Sequence, residues 1–339
     1  MKKFNEKQIL NLIISRFGFQ NIEPCFGRDD ISIISLNSVG SSELYANTNV
    51  SLAVTCDMLV EHTDVPAKMT FEQIARKSMV SSISDLVSKG IKPQFALISL
   101  GLPKTLKNSE ISKLLDGFKL SSKDFKIDII GGDINESREI IIDCCMFGTL
   151  SSKMNIPRRN GAQEGDLVVV SGIFGYTSSG LKILMNDLQS PDNQFKKKSI
   201  DSVLNPTPSY KFGILLAHYF SSSIDSSDGL AASLIQISKE SNVDLLIDER
   251  NIPAPPQLRG FSSMNSLDYF DLIFYGGEEY HIVGTISEKN LLKISQILKN
   301  HQLDLFIIGK VVRGDGHVFI INHDGNKRLL KGQGFIHFT

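Results

Sequence analysis

Apolar positions along this chain recur at two spacings, near 3.6 and near 2 residues, and the two alternate. That pattern predicts helices and strands in alternation, a mixed α/β (α+β) class. Ile9, Leu10, Ile13 and Ile14 share a helical face, interrupted by Glu6, Lys7 and Arg16. With no small-residue cleavage site after them, they read as an amphipathic first helix rather than a signal segment. Residues 31–36 and 52–55 are β-like. Thr70-x-x-Gln73 is a capping box, and Phe71, Ile74, Ala75, Met79, Ile83 and Leu86 keep helical spacing up to Gly90. A strand over 95–100 and a helix over 111–118 follow. Residues 127–130 and 140–147 read as paired strands around a Gly131-Gly132 turn.

Residues 151–165 are loop-like, with Pro157, Arg158, Arg159, Asn160 and Gly161, and a domain boundary is expected near Ser152. Beyond it the spacing predicts a strand over 167–171, then Gly172, Gly175 and Gly180 leading into a helix. Helices over 210–220 and 229–241, a strand over 243–247 and a loop over 253–256 come next. A strand over 280–284, a helix over 289–299 and strands over 305–312 and 318–321 complete the pattern. No solenoid-period repeat is present.

The 339 residues are 41% hydrophobic, enough for two cores. Lys+Arg 36 against Asp+Glu 37 leaves a net charge of −1, and no basic run tracks a phosphate backbone, so a nucleic-acid partner is not expected. Lys196-Lys197-Lys198 reads as a solvated loop. No apolar run approaches the roughly 18 residues of a membrane span. Cys25, Cys56, Cys144 and Cys145 show no CxxC spacing and fit a reducing, cytoplasmic compartment. Cys144 and Cys145, on an apolar strand, read as core.

There is no P-loop, no GxGxxG after a strand, no HExxH and no GxSxG. What stands out is a series of aspartates at the ends of apolar segments: Asp29-Asp30, Asp57, Asp133, and Asp225 with Asp228 ahead of a helix. Asp85 lies inside a helix on a stripe with Ser78, Ser81 and Ser82, small enough to admit a ligand. Singly, each aspartate fits a turn or a cap, and Asp225, Ser227 and Asp228 fit a helix N-cap. Together, such carboxylates suit Mg²⁺, which binds one or two of them plus substrate phosphates. Gly131 and Gly132 would let backbone approach phosphate, and Arg159 would clamp it, although a solvated loop arginine is an equal reading.

In order, the chain carries Asp29-Asp30, Thr55-Cys56-Asp57-Met58-Leu59-Val60-Glu61, Ser84-Asp85-Leu86, Gly131-Gly132-Asp133 and Arg159-x-Gly161-Ala162-x-x-Gly165-Asp166. Asp225-Ser226-Ser227-Asp228-Gly229-Leu230, Gly276-Gly277-Glu278-Glu279-Tyr280 and Gly334-Phe335-Ile336-His337-Phe338 follow. The set resembles the thiamine-monophosphate kinases, from about residue 26 to 338. They belong to a superfamily with aminoimidazole ribonucleotide synthetase, selenophosphate synthetase and the hydrogenase-maturation dehydratase.

The resemblance implies an ATP- and metal-binding, sheet-dimerising domain over residues 1–152 and a C-terminal domain over 153–339 that completes the nucleotide and substrate sites. It implies several Mg²⁺ ions, with Asp30, Thr55, Cys56, Asp57, Asp85, Asp133, Asp225 and Asp228 at metal positions. Asp30, Gly132, Asp133, Arg159 and Ser227 match ATP positions; Asp64, Glu278 and Phe335 match substrate positions. The implied reaction is direct in-line transfer from ATP to thiamine monophosphate by a homodimer, without a general base. Arg28, Cys56, Asp64 and His281 depart from the family pattern. Cys56, a poor Mg²⁺ ligand, would serve only through its carbonyl. The alternatives are another ATP-dependent enzyme of the superfamily, or a non-catalytic binder of thiamine phosphate or ATP. The first lacks a reactive N-terminal cysteine and a cysteine tail; the second would not need every aspartate.

Overall fold

A computed structural model describes residues 6–17, 28–36 and 49–332. The architecture is mixed α/β, with two sheets. The first contains β1 (Ser32–Ser35), β2 (Val50–Val60), β3 (Phe95–Leu102), β4 (Asp128–Glu136) and β5 (Ile141–Ser151), in the order β1-β2-β5-β3-β4. All its pairs are antiparallel except β3–β4. Among its helices, α1 (Glu6–Phe17), α2 (Glu61–Asp64), α3 (Phe71–Ser88) and α4 (Asn108–Phe125), the pair α3 and α4 packs on one face. Alternation along β2 and β5 sends Ala53, Leu59, Ile142, Cys144 and Met146 into that core. Val54, Cys56, Met58, Asp143 and Cys145 lie on the other face.

The second sheet has the order β12-β11-β8-β10-β6-β9-β7. Its strands are β6 (Leu167–Val170), β7 (Phe220–Asp225), β8 (Val243–Asp248), β9 (Ile282–Ile286), β10 (Phe306–Arg313), β11 (Val318–Ile321) and β12 (Lys327–Leu329). Helices α5 (Tyr176–Asn186), α6 (Asn193–Leu204), α7 (Tyr210–Leu216), α8 (Leu230–Ser241), α9 (Leu258–Met264), α10 (Tyr269–Phe274) and α11 (Leu291–His301) surround it. Two apolar clusters fill its two faces, one under α8–α10 and one under α7 and α11. A strand covered on both faces needs no polar alternation, which is why Val168, Val169 and Val170 are all fully buried.

Helix α3 joins the two halves. Its Thr70 and Gln73 form the expected capping box. Beyond the cap it is buried on nearly every side, as a helix inside a core must be. Gly213 of α7 seats the second half against it: a Cβ there would lie 2.0 Å from the Val87 carbonyl.

Several expected elements differ. β4 runs straight through Gly131-Gly132, and it pairs with β3 rather than β5. A glycine pair in an apolar run reads as a turn, but Gly132 is there because a side chain would meet the Ile98 carbonyl on β3. Lys196-Lys197-Lys198 is not loop but part of α6, capped by Asp192, whose side chain accepts from the Phe195 amide at 2.7 Å. Phe220 opens strand β7 rather than ending a helix; its serine-rich sequence hid it. β2 continues past Asp57 to Val60.

Candidate active site

β2, the C-terminal half of α3 and the end of β7 converge on one place. Asp57 is on the helix-covered face of β2 and Asp85 faces it from α3. Asp225 ends β7, and Asp30 precedes β1. Carboxylate oxygens of Asp30, Asp85 and Asp225 lie within 4.8 Å of one another. Thr55 on β2 donates to Asp85 at 2.6 Å and is 3.2 Å from the Asp30 carbonyl. On the serine stripe of α3, Ser82 donates to the Cys144 carbonyl of β5 at 2.7 Å, and Ser78 to the Ala75 carbonyl of its own helix at 2.9 Å.

Charge is unevenly balanced here. Burial, then the charges of Asp57, Asp225 and Asp30, pushes Asp85 well above the carboxylate range. Burial, then Asp30 and Asp57, pushes Asp225 up to about 8. Burial also raises Asp57, against the hydrogen bonds it receives. Asp30 behaves oppositely: burial opposes ionisation, but Arg159 and Lys89 outweigh it and hold the carboxyl low. Arg159 donates through Nε at 3.1 Å and also through Nη2 to one Asp30 oxygen. The Lys89 ammonium, fully buried, lies 2.7 Å from the other oxygen and 2.6 Å from Asp29. Arg159 is therefore no solvated loop arginine.

The remaining expected site residues divide. Ser227 and Asp228 are exposed in the turn after β7, beside Asp225 in sequence. They do not cap α8, whose N-cap is Gly229 with no side-chain cap bond. The loop 276–280 wraps this turn: the Glu278 amide donates to Ser227 at 2.6 Å and the Tyr280 amide to Ser226 at 3.2 Å. Asp64 accepts from the Val60 amide at 2.7 Å. Glu278 pairs with Lys77 of α3 at 2.6 Å, and the same ammonium meets the Asp64 carbonyl at 2.5 Å. These two expected substrate residues thus share one neighbour.

Cys56 and Asp133 are not drawn into the acid group. The Cys56 thiol points to the opposite face of β2 and donates to Asp143 at 2.9 Å; burial and then that carboxylate raise it, so it stays a thiol. Register aligns exposed Asp133 with Ser99 and Asp143 on that same face. Gly132 lies beside it on β4. Phe335 and Cys25 fall outside the described residues. His281 faces a cavity of about 380 Å³ with Glu278, Glu279 and Tyr176. Burial lowers its imidazole to about 4, so it is neutral and its Nε2 is 3.2 Å from the Ile173 carbonyl.

Lys77 escaped sequence reading, and Lys89, legible there only as a neighbour of Asp85, pairs instead with Asp29 and Asp30. A usable signal existed: α3 has no continuous polar face, so a lysine on it must be buried with an acid partner.

The oxygen donors suit a hard divalent cation. Asp57, Asp85 and Asp225 are all raised above the ordinary carboxylate value, so their ionised forms await a cation, and the buried Ser226 hydroxyl next to Asp225 has no hydrogen-bond partner among the described residues.

Comparison with known proteins agrees with the geometry. Residues 30–150 match the family described as AIR synthase related protein, N-terminal domain, and residues 163–322 match AIR synthase related protein, C-terminal domain. The thiamine-monophosphate kinase of Nitrosopumilus maritimus is 34% identical over 338 residues, covering 100% of both chains. That of Pyrococcus horikoshii is 32% identical over 343 residues, covering 99% of each. A solved structure of AaThiL complexed with AMPPCP and TMP superposes with a TM-score of 0.83 at 26% identity, covering 100% of this chain and 99% of that one. Hydrogenase maturation protein HypE shares the fold at 16% identity, with a TM-score of 0.66 over 85% of this chain and 90% of that one. Sequence and fold together show that this chain belongs to the thiamine-monophosphate kinase family of phosphotransferases.

Proposed function

We propose that the protein transfers the γ-phosphoryl group of ATP directly to the phosphate of thiamine monophosphate, giving ADP and thiamine diphosphate, with Mg²⁺. The observation that carries this reading is the convergence of Asp30, Asp85 and Asp225, joined by Asp57 and Thr55 where α3 meets both sheets. Those residues would hold Mg²⁺, which supplies charge neutralisation for the phosphates. Asp228, nearer the surface, would extend the metal set, and Cys56 would join only through its carbonyl; Asp133, on the opposite face of the first sheet, would be left as a nucleotide position beside Gly132.

The residues of the chain perform the rest. Arg159, now paired with Asp30, exchanges that partner for nucleotide phosphate, a bidentate donor moving between two anions. Gly132 and Ser227 approach the nucleotide by backbone and hydroxyl. Asp64, Glu278 and Phe335 orient the acceptor, with the aromatic ring stacking on it. The nucleophilic phosphate oxygen has a pKa near 6 and needs no base. As it attacks in line, a new P–O bond forms and the bond to the ADP oxygen breaks.

Residues 1–152 and 153–339 would act as two domains, with the active form a homodimer in the cytoplasm. The uncovered face of the first sheet, where Met58 is 63% exposed, supports pairing through that sheet. No described helix is long and apolar enough to cross a membrane.

Incubation of the purified protein with ATP, Mg²⁺ and thiamine monophosphate, with free thiamine as control, tests the reading. Equal amounts of ADP and thiamine diphosphate from the monophosphate alone are expected. ADP without thiamine diphosphate points to another substrate of the superfamily, and no ATP consumption to a binding protein.

A further inference from the structure

The buried ammonium of Lys89 has no place in the reaction described above. Its Nζ reaches Asp29 at 2.6 Å, Asp30 at 2.7 Å and the Ser223 carbonyl of β7 at 2.5 Å, and its side chain is 0% exposed. Transferring a bare ammonium into an interior is prohibitive unless partners compensate it, and here two carboxylates and a carbonyl do. These are the donors a hard cation takes: two carboxylates from the segment before β1 and a backbone carbonyl oxygen from β7. One of those carboxylates, Asp30, is also the edge of the acid group, within 4.8 Å of Asp85 and Asp225. Lys89 therefore stands among the acids where a metal ion would have its ligands.

We propose that Lys89 is a resident cation of the active site, its ammonium filling at Asp29, Asp30 and the Ser223 carbonyl a position that a divalent ion would otherwise occupy. Metal loading then begins at Asp57, Asp85 and Asp225, which no lysine serves. The outer oxygen of Asp30 is released only when Arg159 moves to nucleotide, while the inner one stays with Lys89. This rests on the metal reading of the acid group, but not on the identity of the substrate.

The test counts Mn²⁺ bound to the full-length, metal-stripped protein without nucleotide, by electron paramagnetic resonance, for wild type, Lys89→Met and Lys89→Arg. The methionine variant is expected to bind one Mn²⁺ more per chain than wild type and the arginine variant the same number. In thermal unfolding, Lys89→Met should lose stability in chelator and recover it in Mn²⁺. An unchanged ion count, or a loss of stability that Mn²⁺ does not restore, would overturn the proposal and leave Lys89 a structural staple. A methionine variant that folds only with Mn²⁺ supports it; one that folds in neither condition overturns it. If wild type binds no Mn²⁺, the metal reading itself fails and takes this one with it.

Discussion

Lys77 of α3 and Glu278 of the loop before β9 form an ion pair at 2.6 Å, with the ammonium also held at 2.5 Å by the Asp64 carbonyl. One cation thus fixes both positions expected to face the acceptor, from opposite halves of the molecule. Glu278 sits in the left-handed region, at φ 63°, and needs such a restraint. Lys77→Met should therefore raise KM for thiamine monophosphate about tenfold, equivalent to about 1.4 kcal/mol, and leave KM for ATP unchanged. Steady-state kinetics with each substrate varied in turn would show it; equal effects on both would remove Lys77 from the acceptor side.

Asp57 combines burial with repulsion from Asp30. Asp57→Asn should lower turnover about 100-fold or more, the scale of losing preorganised charge stabilisation. Relief of the repulsion should raise the melting temperature in chelator. Near-normal turnover at ordinary Mg²⁺ would contradict a metal role.

Glu279 and His281 predict opposite pH dependences of stability. Burial raises Glu279 from 4.5 to about 7, against the Gly175 and Thr177 donors, so the unfolded chain ionises first as pH rises. Stability is lost from about pH 4.5 up to 7 and the loss is complete above it. Burial lowers His281 from 6.5 to about 4, so the unfolded chain protonates first and stability is lost as pH falls through that interval. Glu279→Gln should abolish the first loss and keep the second. Thermal unfolding between pH 4 and 8 would separate them; an unaltered profile would show that Glu279 does not titrate there.

Gly132→Ala should cost about 3 kcal/mol or more, the upper range for overpacking. Its Cβ would meet the Ile98 carbonyl, and φ of 151° adds strain. Denaturant unfolding would measure it. A neutral result would mean that β4 shifts freely from β3, leaving this glycine to a ligand alone.

The sequence made the α3 helix legible because local signals agree there: a capping box, a 3.6-residue spacing and Gly90 as a stop. The mixed class followed from alternation of periods. β7 was hidden because Ser221, Ser222 and Ser223 carry no apolar signal; their burial depends on partners distant in sequence, among them Thr285 and Ser88. The β3–β4 pairing was misread because a parallel neighbour leaves no local turn to detect. In the site, the acids were visible as residue types at segment ends. Their counter-charges were not. Lys89 gains meaning only when Asp29, Asp30 and Ser223 arrive from elsewhere in the chain. The opposite face of β2 explains why Cys56, adjacent to Asp57, lies apart from it.

Helix α3 carries Lys77 near its start and is followed by Lys89 at its C-cap, twelve positions on, and each reaches across to the second half, at Glu278 and at Ser223. A chain cut between the halves would strand an ammonium with its carboxylates but without its carbonyl at one end of this helix, and without its carboxylate at the other. The chain is therefore expected to melt in a single transition. Neither half is expected to persist alone as a native-like fragment, although the two would reassemble when mixed, since every missing partner is supplied by the other piece.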